Sequence, residues 1–116
     1  MNRYLISIFL LLTAVFGCGK QESGTIVRIS NETRFTITDV RLITSTDTVS
    51  EDSISSSCIF EDTVMLHEKE RVELSWIQDG EYREFGRTLI DSVNHAKIVM
   101  FSIPSNDDYF EVLYNF

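Results

Sequence analysis

The stretch Val72-Glu73-Leu74-Ser75-Trp76-Ile77-Gln78-Asp79-Gly80-Glu81-Tyr82-Arg83-Glu84-Phe85 leaves this chain few folds to choose from. Apolar and polar residues alternate on both sides of Asp79-Gly80, and a period of two belongs to a strand rather than a helix. Asp-Gly between two such runs reads as a two-residue hairpin turn, because both central positions need positive φ. With Asp79-Gly80 at the tip, Ile77 faces Tyr82 and Leu74 faces Phe85. Val72, Leu74, Trp76 and Phe85 then share one face, and Ile77 and Tyr82 share the other.

The same period recurs along the chain. Thr25 to Ser30 alternates as a strand, and Asn31-Glu32-Thr33 reads as a turn, with the Asn side chain accepting local backbone hydrogen bonds. Phe35 to Ile43 is β-rich, but its alternation breaks at Asp39. Either a β-bulge there restores one apolar face, or the segment divides into two strands. Ser45 to Ser57 has only Val49 and Ile54 as large apolar residues and is expected to be a long loop. Ile59-Phe60 and Val64-Met65-Leu66 are short apolar pieces. Gly86 to His95 fits either a short helical turn or a loop crossing. Ile98 to Ile103 is nearly apolar on both faces, as in a central strand, and Pro104 ends it. Ser105 to Asp108 is expected to turn. Tyr109 to Phe116 closes the chain as a strand with Phe110, Val112, Tyr114 and Phe116 on one face.

Seven or eight strands with little helical signal predict an all-β fold: a small two-sheet antiparallel β-sandwich over residues 25–116. It is Ig-like in architecture only, since two cysteines bridged around a tryptophan are missing. No internal repeat is visible.

The N-terminus has a different character. Arg3 supplies a positive charge, and Tyr4 to Phe16 is a run of thirteen residues without a charge. A bilayer-spanning helix needs about 20 apolar residues, so the run is too short. A basic start, a short apolar core and small residues read as a secretory signal. Val15-Phe16-Gly17-Cys18 then resembles the lipobox of bacterial lipoproteins, with an aliphatic residue three before the cysteine and a small one just before it. The resemblance covers residues 1–18. It implies a signal peptide over residues 1–17, lipidation of Cys18 and a tether over residues 18–24. Its physical consequence is attachment, because each buried methylene contributes about 0.8 kcal/mol and two or more chains hold stably. The implied location is the bacterial cell envelope, with the outer membrane expected and its periplasmic or surface side left open.

Beyond the signal only Arg3 is lost from the ten Lys and Arg, leaving nine against eighteen Asp and Glu, a net charge of −9. That balance opposes nucleic-acid binding, which needs a basic face, and opposes adhesion to anionic lipid. Attachment would then come from acyl chains. Lipidation of Cys18 leaves Cys58 single, so no intramolecular disulfide is expected, and Cys58 reads as a small packed residue.

Four triplets share one pattern: Asp47-Thr48-Val49, Asp52-Ser53-Ile54, Asp62-Thr63-Val64 and Asp91-Ser92-Val93. Chance would give roughly one. The pattern resembles the O-glycosylation site of Bacteroidota, which implies Thr48, Ser53, Thr63 and Ser92 as candidate carriers. An Asp followed by a hydroxyl residue also opens strands and turns, and that explanation weighs about equally.

No catalytic signature is readable, and the chain is expected not to be an enzyme and to need no cofactor. His67-Glu68-Lys69-Glu70 reads as a solvated charged turn rather than a metal site, which needs converging ligands. Asn106-Asp107-Asp108 offers oxygen ligands without a known calcium-loop spacing. The leading expectation is a non-catalytic envelope lipoprotein for protein interaction or envelope assembly, with an envelope protein or glycan as partner. The alternative is a module binding carbohydrate or a small ligand through exposed aromatics, with Ile77 and Tyr82 as first contacts.

Overall fold

The computed structural model describes residues 24–105 and 109–116. The expected signal, Cys18 and most of the tether lie outside these residues, as do Asn106 to Asp108. The described chain forms eight strands and a short 3-10 turn at Asp91–His95. The strands are β1 Thr25–Asn31, β2 Ile37–Ile43, β3 Thr48–Ile54, β4 Ile59–Val64, β5 Arg71–Gln78, β6 Glu81–Thr88, β7 Ile98–Ile103 and β8 Glu111–Asn115. They build two four-stranded sheets, ordered β4-β1-β7-β8 and β3-β2-β5-β6. The all-β sandwich is the architecture that the alternation predicts.

The core lies between the sheets. One sheet contributes Val27, Ile29, Val99, Phe101 and Ile103, and the other Ile37, Val40, Leu42, Val72, Leu74 and Trp76. The ring of Trp76 lies 5.8 Å from that of Phe85, and Phe101 meets Phe110 edge-on at 5.6 Å. The buried indole N–H of Trp76 donates to Gln78 Oε1 at 3.0 Å, so the largest core side chain leaves no polar group unpaired.

The hairpin has the predicted register: Ile77 pairs with Tyr82 and Leu74 with Phe85. Asp79 has φ 51° and Gly80 φ 79°, the left-handed pair that a two-residue turn requires. The break at Asp39 is a bulge, not two strands. The β2–β5 register shifts between Thr38 and Arg41, and Asp39 has φ 50°. The inserted residue returns Val40 and Leu42 to the face of Ile37, and all three are buried.

Four expectations are corrected. Ser45 to Ser57 is not a loop, because Thr48–Ile54 is strand β3, paired along β2. Val49 and Ile54 both reach the core although their parity differs. A sheet-edge strand needs few apolar residues, and this one follows the irregularity of β2. Cys58 is exposed rather than packed. It sits in a tight crossover whose backbone is engaged, its carbonyl accepting the Asn31 N–H at 3.0 Å. Glu70 is buried rather than solvated, its carboxylate accepting the Ser45 and His67 N–H groups at 2.7 Å each. The sheets are not wholly antiparallel either, since β1 and β7 run parallel, Ile26 beside Ile98 through Asn31 beside Ile103. Side-chain alternation is the same for both strand directions, so direction had to come from topology.

Candidate functional site

Strand alternation determines what the sandwich shows to solvent. On the outer face of the β3-β2-β5-β6 sheet, Tyr82 is 62% exposed and its cross-strand partner Ile77 is half-buried. The hairpin strands thus bring together the two residues predicted as ligand contacts. On the opposite face of β6, Arg83 donates to Glu81 Oε1 at 2.9 Å. The β6 residues Glu81 to Phe85 border an open depression of about 420 Å³. Among the described residues, the other exposed aromatics are Tyr109 in the β7–β8 connection and Phe116 after β8. Among the described residues Tyr82 therefore stands without an exposed aromatic neighbour on its own sheet face.

The four triplets share one geometry. Asp and hydroxyl residue are exposed in each, while Val49, Ile54, Val64 and Val93 are buried. In the strands this follows from alternation: a side chain next to a core-facing aliphatic points away from the core. Thr48 and Ser53 lie on β3 and Thr63 on β4, the edge strands of the two sheets, which meet along one flank. Ser92 lies in the 3-10 turn. The aspartates also have a local role. Asp47 Oδ1 accepts the Thr48 N–H at 3.1 Å, and Asp62 Oδ1 accepts the Thr63 N–H at 2.7 Å.

The outer face of the other sheet carries a smaller hollow of about 200 Å³ lined by Arg28, Ile98, Met100, Leu113, Tyr114 and Asn115. Arg28 Nε is held at 2.8 Å by Glu61 Oε1 across the β1–β4 pair. Sequence reasoning missed this hollow, because its residues come from three strands whose adjacency is set by topology. Among the described residues no three His, Cys, Asp or Glu side chains cluster to hold a metal ion. No helix among them is long and apolar enough to cross a membrane.

No family model matches the chain, and no curated protein matches it. A solution NMR structure of a protein from Eubacterium rectale is similar to it, with a TM-score of 0.61 at 11% sequence identity. The match covers 84% of this chain and 94% of that one. At that identity the likeness concerns the fold alone.

Proposed function

We propose that this chain is a non-catalytic envelope lipoprotein: a β-sandwich held at a membrane by acyl chains on Cys18 and used for protein interaction or envelope assembly. The observation that carries the reading is Val15-Phe16-Gly17-Cys18 at the end of a short apolar run with a basic start. The short sequence separation supports it: strand β1 begins at Thr25, so six residues lie between Cys18 and the first strand. Register places Ile26 beside Ile98 and Ile98 beside Asn115, so the chain enters the sheet at the end where it also finishes. The Asp79-Gly80 tip projects from the opposite end. The test is mass spectrometry of the protein isolated from its native envelope. A chain beginning at an acylated Cys18 is expected. Cys18→Ser should lose the acyl mass and leave the membrane fraction or remain uncut. An unmodified thiol in the native protein, or full membrane retention of a Cys18→Ser chain that has been cut before residue 18, contradicts the proposal.

The triplets extend it. We infer that Thr48, Ser53, Thr63 and Ser92 carry O-linked glycans in a host of Bacteroidota type. Exposure of all four beside a buried aliphatic supports this, since a bulky glycan requires an outward hydroxyl. Glycopeptide mapping should find hexose-bearing mass at these sites, each lost on substitution by Ala. Unmodified peptides across all four would refute it. The second reading, a carbohydrate- or small-ligand module, has the Ile77–Tyr82 pair in its favour, with Tyr82 exposed. It rests on that pair by itself, because the remaining exposed aromatics of the described residues lie on other elements.

A further inference from the structure

Each Asp-hydroxyl-aliphatic triplet shows its first two residues to solvent and hides its third. Val49, Ile54, Val64 and Val93 belong to the core and are at most 5% exposed. The backbones are engaged as well. Thr48 and Ser53 lie in register with Ile43 and Thr38 of β2, and Thr63 with Ile26 of β1. In the 3-10 turn the Val93 N–H donates to the Ile90 carbonyl at 3.2 Å, and the Val93 carbonyl accepts the Ala96 N–H at 3.0 Å. Turning any of these aliphatic side chains outward would break the strand or turn that holds it and open the core.

The finished fold therefore suits the product of glycosylation and not its acceptor. A glycan on an outward hydroxyl is accommodated. An enzyme that selects the triplet has to touch the aliphatic residue, and in the folded chain it cannot. A hydrophobic pocket discriminates by roughly 10–200-fold per methylene, so a pocket left unfilled forfeits its selection. Transient opening is a poor substitute, because a folded domain is open in only about 10⁻³ to 10⁻⁶ of molecules.

We propose that the triplets are glycosylated before the sandwich folds, with Val49, Ile54, Val64 and Val93 first read by the transferase and then hidden in the core. This order rests on the glycosylation inferred above and adds when it happens and which residues select the sites. In the transfer the Thr or Ser hydroxyl oxygen bonds to the anomeric carbon of an activated donor, a glycosyl phosphate or pyrophosphate. The bond from that carbon to the phosphate oxygen breaks, and its electron pair leaves with the phosphate. The hydroxyl proton passes to a base of the transferase. Folding then buries the aliphatic residue and leaves the glycan outside.

The test compares two unglycosylated full chains in detergent, the original and one unfolded by Leu74→Asp with Trp76→Asp. Both substitutions put a charge in the core and neither lies in a triplet; circular dichroism verifies that the second chain is unfolded. Membranes of a Bacteroidota cell supply transferase and donor, and glycopeptide mass spectrometry reads each site over time. The folded chain should be modified at less than about one-hundredth of the initial rate of the unfolded one. A third chain carries Ser57→Asp with Cys58→Ser, which makes an Asp-Ser-Ile triplet ending at Ile59, a residue 55% exposed. Ser57 has φ 64°, a region that Asp tolerates. That triplet should be modified on the folded chain while the original four stay bare. Equal rates on the folded and unfolded chains, or an added triplet that stays bare on the folded chain while the unfolded chain is modified, would overturn the order. No glycan on any chain would refute the glycosylation itself.

Discussion

Asn31 shows how a single side chain can join parts of the chain that a sequence pattern treats as unrelated. It is fully buried at the end of β1. Its Nδ2 donates to the carbonyls of Phe35 at 2.7 Å and Ile54 at 2.9 Å. Its Oδ1 accepts the Thr33 N–H at 3.0 Å and the Thr33 hydroxyl at 2.7 Å. Its backbone carbonyl accepts the Ser57 N–H at 2.8 Å. Two crossings between the sheets, β1 to β2 and β3 to β4, are thereby tied at one point. Asn31→Ala would leave buried donors and acceptors unpaired, each costing about 1–3 kcal/mol. A total loss of about 2–4 kcal/mol is expected, visible as a lower denaturant midpoint at unchanged slope. A midpoint shift equivalent to less than about 1 kcal/mol would show that water replaces these bonds. The local half of this role, an Asn accepting from Thr33 in a turn, was legible in the sequence. The contact with Ile54, 23 residues away, was not, because nothing local marks which distant carbonyl an amide will meet. Glu70 teaches the same lesson: in sequence it is one charge in a charged turn, and in the fold its carboxylate accepts two backbone amides.

At the scale of elements, the hairpin was legible because its turn chemistry and its period agree. Positive φ at Asp79 and Gly80 is a local demand that side-chain size decides. A Cβ added at Gly80 would meet nothing within 4 Å, so substitution there tests backbone conformation without a packing effect. Gly80→Val should cost about 1–2 kcal/mol, because a β-branched residue resists the left-handed region. Gly80→Asn should cost much less, since Asn tolerates that region. Thermal unfolding of the two variants checks the order, and equal melting points would contradict the turn assignment. The bulge at Asp39 was legible for a related reason, a parity break in an otherwise regular run. Strand β3 was not legible. Its residues are mostly hydroxyl and acidic, and only pairing with β2 and two inward aliphatics make it a strand. Strand β8 was legible as a strand, but its place at an edge depends on the strand order.

For the molecule as a whole, both sheets contribute to one continuous core, and neither can bury its apolar face alone. Arg87 of β6 reaches across the flank opposite β3 and β4. Its Nη2 donates to the Phe110 carbonyl at 2.7 Å, and its guanidinium lies 5.3 Å from the Phe110 ring centre. The two sheets should therefore unfold together. Trp76, the single tryptophan and fully buried, reports the core by fluorescence, while far-ultraviolet circular dichroism reports all strands. Coincident denaturation midpoints are expected, as for one cooperative domain. Separated midpoints would mean that the sheets are independent units. At this scale little of the candidate surfaces could be read in advance. The outward hydroxyls of the strand triplets follow from alternation, but the gathering of Thr48, Ser53 and Thr63 on the β3/β4 flank depends on which strand lies beside which.

By itself the sequence determined most of the elements: the period of two, the hairpin register, the parity break at Asp39, the apolar faces and the triplet pattern. These are set by steric demands and side-chain polarity within a few residues of chain. The tertiary structure alone decided the order of strands, the parallel pairing of β1 with β7, the burial of Asn31 and Glu70, and the place of β8 at an edge. Strands pair through backbone amides and carbonyls that are alike at almost every residue. The choice of neighbour is therefore made by whichever arrangement closes the core between two sheets, and no short stretch of sequence holds that information.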